Sequence, residues 1–152
     1  MKTLSNAFRA ATAVSLLGWL VLFGYPLWPQ AARILVFTLA VVLLCMLYTY
    51  FLLFARHLDE PGAKARGNFS SLAGVISLFK SPRVVLAGWI HYLAFDLMAG
   101  LFIVTDAARH GIAHGWLMPV LFLTLMFGPA GLLLYLVLRW VMSPGALAMA
   151  MF

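Results

Sequence analysis

Apolar residues run along this chain in four long stretches separated by short polar interruptions. They cover about Ala10 to Trp28, Ala31 to Phe54, Val84 to Ala107 and Trp116 to Met142. Each has the roughly twenty residues with which a helix rising about 1.5 Å per residue crosses a hydrocarbon core of about 30 Å. The predicted fold is therefore all-α: an integral membrane four-helix bundle forming a single domain over residues 1–152. Lys2 and Arg9 ahead of the first stretch give it the opening of a secretory signal. Its length and its aromatic end at Tyr25-Pro26-Leu27-Trp28, with no small-residue cleavage site, fit a retained span with rings at the interface. The loop over residues 56–83 is the one sizeable polar segment. Within it Phe69 to Phe79 is apolar but too short to span, which predicts an interfacial or re-entrant helix between spans two and three.

Composition strengthens the membrane reading. Hydrophobic residues make up 65% of the 152 and charged residues 9%, so there is too little polar surface to cover one soluble core. The net charge of +6 comes from bases that flank apolar runs, which points to membrane lipids as partners and excludes nucleic acid. Lys2, Arg9, Arg56, Lys64, Arg66, Lys80, Arg83 and Arg139 fall on one side of a four-span topology, and Arg33 and Arg109 on the other. That asymmetry predicts both termini in the cytoplasm. Cys45 stands alone in an apolar run and is read as a small hydrophobe.

Candidate chemistry begins with Asp96, near the centre of the third span. A carboxylate there costs roughly 2.5–3.5 kcal/mol on insertion scales, so it needs a polar neighbour or a proton. At helical spacing Gly88, Tyr92, Asp96 and Gly100 fall along one stripe, where the glycines admit a neighbouring backbone and Tyr92 can bond Asp96. His91, five positions earlier, looks toward a different neighbour. In the fourth span Gly128-Pro129-Ala130-Gly131 interrupts the helix, because Pro129 lacks an N–H and frees the carbonyl of Leu125. Asp96 and Gly128 lie equally far from Ile112 in the connecting loop, so antiparallel helices joined there bring both to one depth. Asp106, His110 and His114 recur every four residues, an arrangement open to metal if the helix continued through Gly111.

The run His91-Tyr92-Leu93-Ala94-Phe95-Asp96-Leu97, then Gly100, Asp106, Pro119 and Phe127-Gly128-Pro129-Ala130-Gly131-Leu132-Leu133-Leu134-Tyr135, resembles the abscisic-acid-deficient-four-like family. Its plant members are plastid membrane proteins needed to form neoxanthin from violaxanthin, and it has bacterial relatives. This chain carries Leu101-Phe102 where the family usually has a basic-aromatic pair. With no plastid transit sequence, a bacterial plasma membrane is the expected location. The resemblance implies an intramembrane isomerase, or a related enzyme, acting on a carotenoid or other apolar isoprenoid. Asp96 would be its acid, His91 or Asp106 its base, and Tyr92, Gly100, Gly128, Pro129 and Gly131 would line its substrate. This chemistry calls for no cofactor. Two other readings stand beside it: a proton-coupled carrier or channel, formed as a homo-oligomer, and a non-catalytic subunit that binds pigment or lipid.

Overall fold

The computed structural model describes residues 1–59 and 67–142. Glu60, Pro61, Gly62, Lys64 and Arg66 of the polar loop, and the chain beyond Met142, lie outside the described residues. The described chain is all-helical: α1 Lys2–Phe23, α2 Pro29–Leu58, α3 Leu72–Leu78, α4 Pro82–Arg109 and α5 His114–Met142. By residue count and apolar composition, four of these, all but α3, are long enough to cross a membrane.

Proline and serine set the boundaries. Gly24 and the Tyr25–Leu27 turn end α1, and Pro29 begins α2 at the position where a missing N–H costs nothing. Ser71 caps α3 by accepting from the Gly74 amide at 3.1 Å. Ser81 caps α4 ahead of Pro82 in the same way, accepting from the Val84 amide. The short apolar helix expected between spans two and three is α3, placed so that Phe79, just past its end, packs on Gly88 of α4. α2 winds more loosely than an α-helix over Leu35–Val42 and Tyr50–Phe54.

α4 is the axis of the bundle: half of its apolar window is buried, against about a third or less for the other three. α1 runs parallel to it. Trp89 Nε1 donates to Thr12 Oγ1 at 3.1 Å, Leu97 covers Gly18, and Gly100 lies under Trp19 and Leu22. α2 runs antiparallel, with Arg83 beside its end and His91 beside Tyr48. The supposed stripe on α4 is therefore not one contact face. Gly88 meets Phe79 and Gly100 meets α1, because a four-residue step drifts about 40° around a helix of 3.6 residues per turn.

At the α2 end, Arg83 forms a clamp with several arms. Its Nε and Nη2 each lie 3.0 Å from an Asp59 carboxylate oxygen, and Nη1 donates to the carbonyls of Phe51 (2.7 Å) and Leu52 (3.2 Å). Ser81 Oγ donates to the same carboxylate. The loosely wound end of α2 is thus satisfied from α4 rather than by its own next turn.

α5 is not one straight rod. In a continuous helix Arg139 would stand about 37 Å from His114. Yet Arg139 Nη1 lies 3.3 Å from Asp106 and its Nη2 lies 3.2 Å from His110 Nε2, while Met126 and Gly128 touch Tyr92 and Asp96. The helix descends along α4 from His114, breaks at Phe127 (φ −141°, ψ 37°) and Gly128 (φ 13°, ψ −80°), and climbs back in parallel with α4. Gly131 packs so tightly on Thr124 that a methyl there would overlap the Thr124 amide and hydroxyl. Seven residues along a straight helix would separate the two by about 10.5 Å.

The arms, residues 114–126 and 129–142, are about 20 and 21 Å long, short of the roughly 30 Å core. The kink expected at Pro129 is a reversal. Pro129 opens a new helix at its favoured first position, and Gly131 lets the arms touch. The placement of Arg139 with the bases of the amino-terminal side is corrected accordingly: it meets the His110 end of α4.

This geometry can be checked at both of its unusual ends. Reporters fused ahead of Met1 and after Met142 are expected on opposite sides of the membrane, and labelling on one side would show that α5 opens into a full span. At the clamp, the Arg83 hydrogen bonds hold the Asp59 carboxyl below the usual carboxylate range. Its contribution is complete above the ordinary carboxyl value of about 4 and is lost as pH falls through the depressed one. Asp59→Ala is expected to cost about 2–3 kcal/mol at pH 7. In denaturation titrations the gap to wild type should close as the medium is acidified.

Candidate functional site

Three of the ionisable groups on α4 expected to matter sit at separate stations. Asp96 lies at the middle of the helix, 6% exposed, against the hairpin tip, where a methyl on Gly128 would overlap its Oδ1. The equal count of residues from Ile112 thus meets its expectation of depth. Asp96 Oδ2 has no hydrogen-bond partner among the described residues. Beside it Tyr92 donates its hydroxyl to the Met126 carbonyl at 2.8 Å. That bond satisfies an acceptor released where the first arm ends, and the same hydroxyl lies within hydrogen-bonding reach of the Asp96 carboxyl. Trp89 stacks on Tyr92 with ring centres 5.7 Å apart, and its own N–H is held by Thr12. Gly128 and Pro129 present the start of the second arm to Asp96, so the positive end of that arm's peptide dipoles faces the carboxyl. Pro129 itself is exposed, and Gly131 is spent on packing the arms together.

His91 is exposed on another face, between Tyr48 (5.4 Å between ring centres) and Phe95 (4.4 Å). Asp106 stands ten residues, about 15 Å, beyond Asp96. The structure therefore does not bring Asp96, His91 and Asp106, the expected acid–base set, together around one point. Gly100, buried under Trp19 and Leu22, likewise lies away from the tip.

Asp106 belongs to a network at the outer end of the hairpin. Tyr135, fully buried, donates to Asp106 Oδ2, and Arg139 pairs with the same oxygen. Arg139 can only donate, so His110 Nε2 accepts from it. The His110 Nδ1, 2.8 Å from the Asp106 carbonyl, donates to that oxygen. His114 turns elsewhere and donates to the Phe23 carbonyl at 2.9 Å. The metal set of Asp106, His110 and His114 is therefore not formed. Gly111 at φ 68° ends α4, so His114 opens the next helix, and no three metal donors converge among the described residues.

Tyr135 and Arg139 are the residues that sequence reasoning misses. Their four-residue spacing places them on one face, but only the reversal at Gly128 brings that face to Asp106. An arginine within an apolar run was the available signal.

The fold and this site define a multi-pass, all-helical membrane protein with an acid at mid-depth, sealed by a broken helix. The chain belongs to the ABA DEFICIENT 4-like family, which matches over residues 6–135. No curated protein and no solved structure matches it.

The contact of Gly128 with Asp96 leaves no room for a side chain. Gly128→Ala is expected to lower stability by about 1–3 kcal/mol, measured by denaturant titration in micelles, as overpacking does in a filled core. Ala130→Gly at the exposed neighbouring position should cost under about 1 kcal/mol.

Proposed function

We propose that this protein is an intramembrane enzyme that isomerises a carotenoid or other apolar isoprenoid by proton transfer at Asp96. The observation that carries the reading is a mid-depth carboxyl with one oxygen unpartnered, held against the start of a half-helix. Membership of the family supports it.

The chemistry needs a single group. When an epoxide beside a polyene opens to an allenic alcohol, a C–O bond breaks, the oxygen gains a proton and a neighbouring carbon loses one, so composition is unchanged. Asp96 as the neutral acid gives its proton to the oxygen. Its carboxylate, facing the positive end of the second arm, then takes the carbon-bound proton and returns to its starting state. Tyr92 fixes the tip that holds this geometry. His91 and Asp106 take no part.

In this reading the membrane is a bacterial plasma membrane. Lys2, Arg9, Arg56, Lys80 and Arg83 gather at one end of the bundle and Arg33, Arg109 and Arg139 at the other, an asymmetry that supports a cytoplasmic amino terminus. With the hairpin returning to the end it left, the second arm finishes on the opposite face.

A half-helix start beside a mid-depth acid also occurs in proton-coupled carriers, which gives a second reading of the same atoms. One comparison separates the two. Cells that make an epoxidised carotenoid, expressing wild type or Asp96→Asn, are extracted and their pigments resolved by mass. An isomer present only with wild type is expected. Equal pigment profiles, together with Asp96-dependent acidification of liposomes, would establish the carrier instead.

A further inference from the structure

A groove of about 490 Å³ lies on the outside of the bundle, between the first turns of α2 and the last three turns of α4. Its walls are apolar, with Phe37 on one side and Met98 and Phe102 on the other. The two hydroxyls along it are spent within their own helices: Thr38 donates to the Ile34 carbonyl, and Thr105 to the Leu101 carbonyl at 2.8 Å. Arg33 and Arg109 stand at its mouth, both exposed, at the helix ends where a bilayer's headgroups begin. Neither has a hydrogen bond or ion pair among the described residues, whereas Arg83 and Arg139 are both tied to aspartates.

We infer that this groove is a site for an anionic phospholipid, with its phosphate between Arg33 and Arg109 and an acyl chain along Phe37, Met98 and Phe102. The shape fits an amphiphile: an open, mostly apolar groove of a volume ordinary for ligand sites, with two cations at one end. The guanidinium fork matches phosphate oxygens in paired hydrogen bonds, and phosphate is the anion that a bilayer presents at this depth. Two free cations are also out of place here. Basic residues are scarce at the end of a membrane protein away from its main basic cluster, so a pair sharing one groove calls for a local anion. The site is distinct from the tip, since it opens between α2 and α4 while Asp96 faces α5.

The purified full chain, exchanged into vesicles of phosphatidylglycerol and phosphatidylcholine in equal amounts, is analysed by native mass spectrometry. Wild type is expected to retain one phosphatidylglycerol at least tenfold more often than phosphatidylcholine. Arg33→Gln and Arg109→Gln should each weaken that preference about tenfold, the loss of one charge-assisted contact. Met98→Trp keeps both cations and fills the channel. It should release phosphatidylglycerol, which separates a lipid site from one for free phosphate. Millimolar inorganic phosphate should leave the lipid in place. Equal retention of the two lipids by wild type, unchanged retention in both arginine variants, or displacement by inorganic phosphate would each overturn the assignment. Circular dichroism confirms that the variants compared are folded.

Discussion

A peptide backbone that breaks inside hydrocarbon has no water to fall back on, and each unmet N–H or C=O costs several kcal/mol. The reversal at Phe127 and Gly128 is such a break, and the structure is organised around covering it. Tyr92 bonds the Met126 carbonyl, where the first arm gives up its acceptors. Pro129 starts the second arm without an N–H to satisfy. Gly128 lies flush against the buried Asp96, so one side of the tip is covered while Phe127 and Pro129 stay exposed. The break and the acid meet in one contact, through Gly128.

The same logic recurs along α4. Arg83 satisfies the loosely wound end of α2 through the Phe51 and Leu52 carbonyls. Tyr92 and Asp96 serve the tip. Asp106 holds the far end of the second arm through Tyr135 and Arg139. Polar residues in a membrane helix are expensive, and Arg83 and Tyr92 each answer an irregularity in a neighbouring element. The central helix is regular, while α2 is loosened beside Arg83 and α5 is broken beside Tyr92 and Asp96.

Length and hydropathy were enough to read four apolar helices, their approximate limits and the short helix before Pro82. Asp96 and the Gly-Pro break could be paired by counting from the loop, because that count needs only the first arm, which does run antiparallel to α4. The count could not reveal the course of the chain beyond the break. Residues 116–142 are apolar throughout, and hydropathy has no direction, so a span and a hairpin of two half-length arms look alike. The same blindness put Arg139 on the wrong side and hid its bonds to Asp106 and His110. The glycine stripe on α4 failed for a smaller reason, the angular drift of a four-residue step, which over twelve residues carries Gly100 onto α1.

The stations on α4 also constrain any chemistry. Acid and base on one rigid helix must lie within about one turn and on one face to act on neighbouring atoms of a substrate. His91 fails on direction and Asp106 on distance, and Asp106 is already committed to Tyr135 and Arg139. Of the carboxylates on α4, Asp96 keeps an oxygen without a partner. Its surroundings also differ from those of an interhelical clamp. A clamp would satisfy both oxygens from the facing helix, as Asp59 does with Arg83 and Ser81. Asp96 instead meets a glycine and the start of an arm whose first residue has no N–H to give. An oxygen left without a partner at that depth is what separates Asp96 from the paired carboxylates of Asp59 and Asp106.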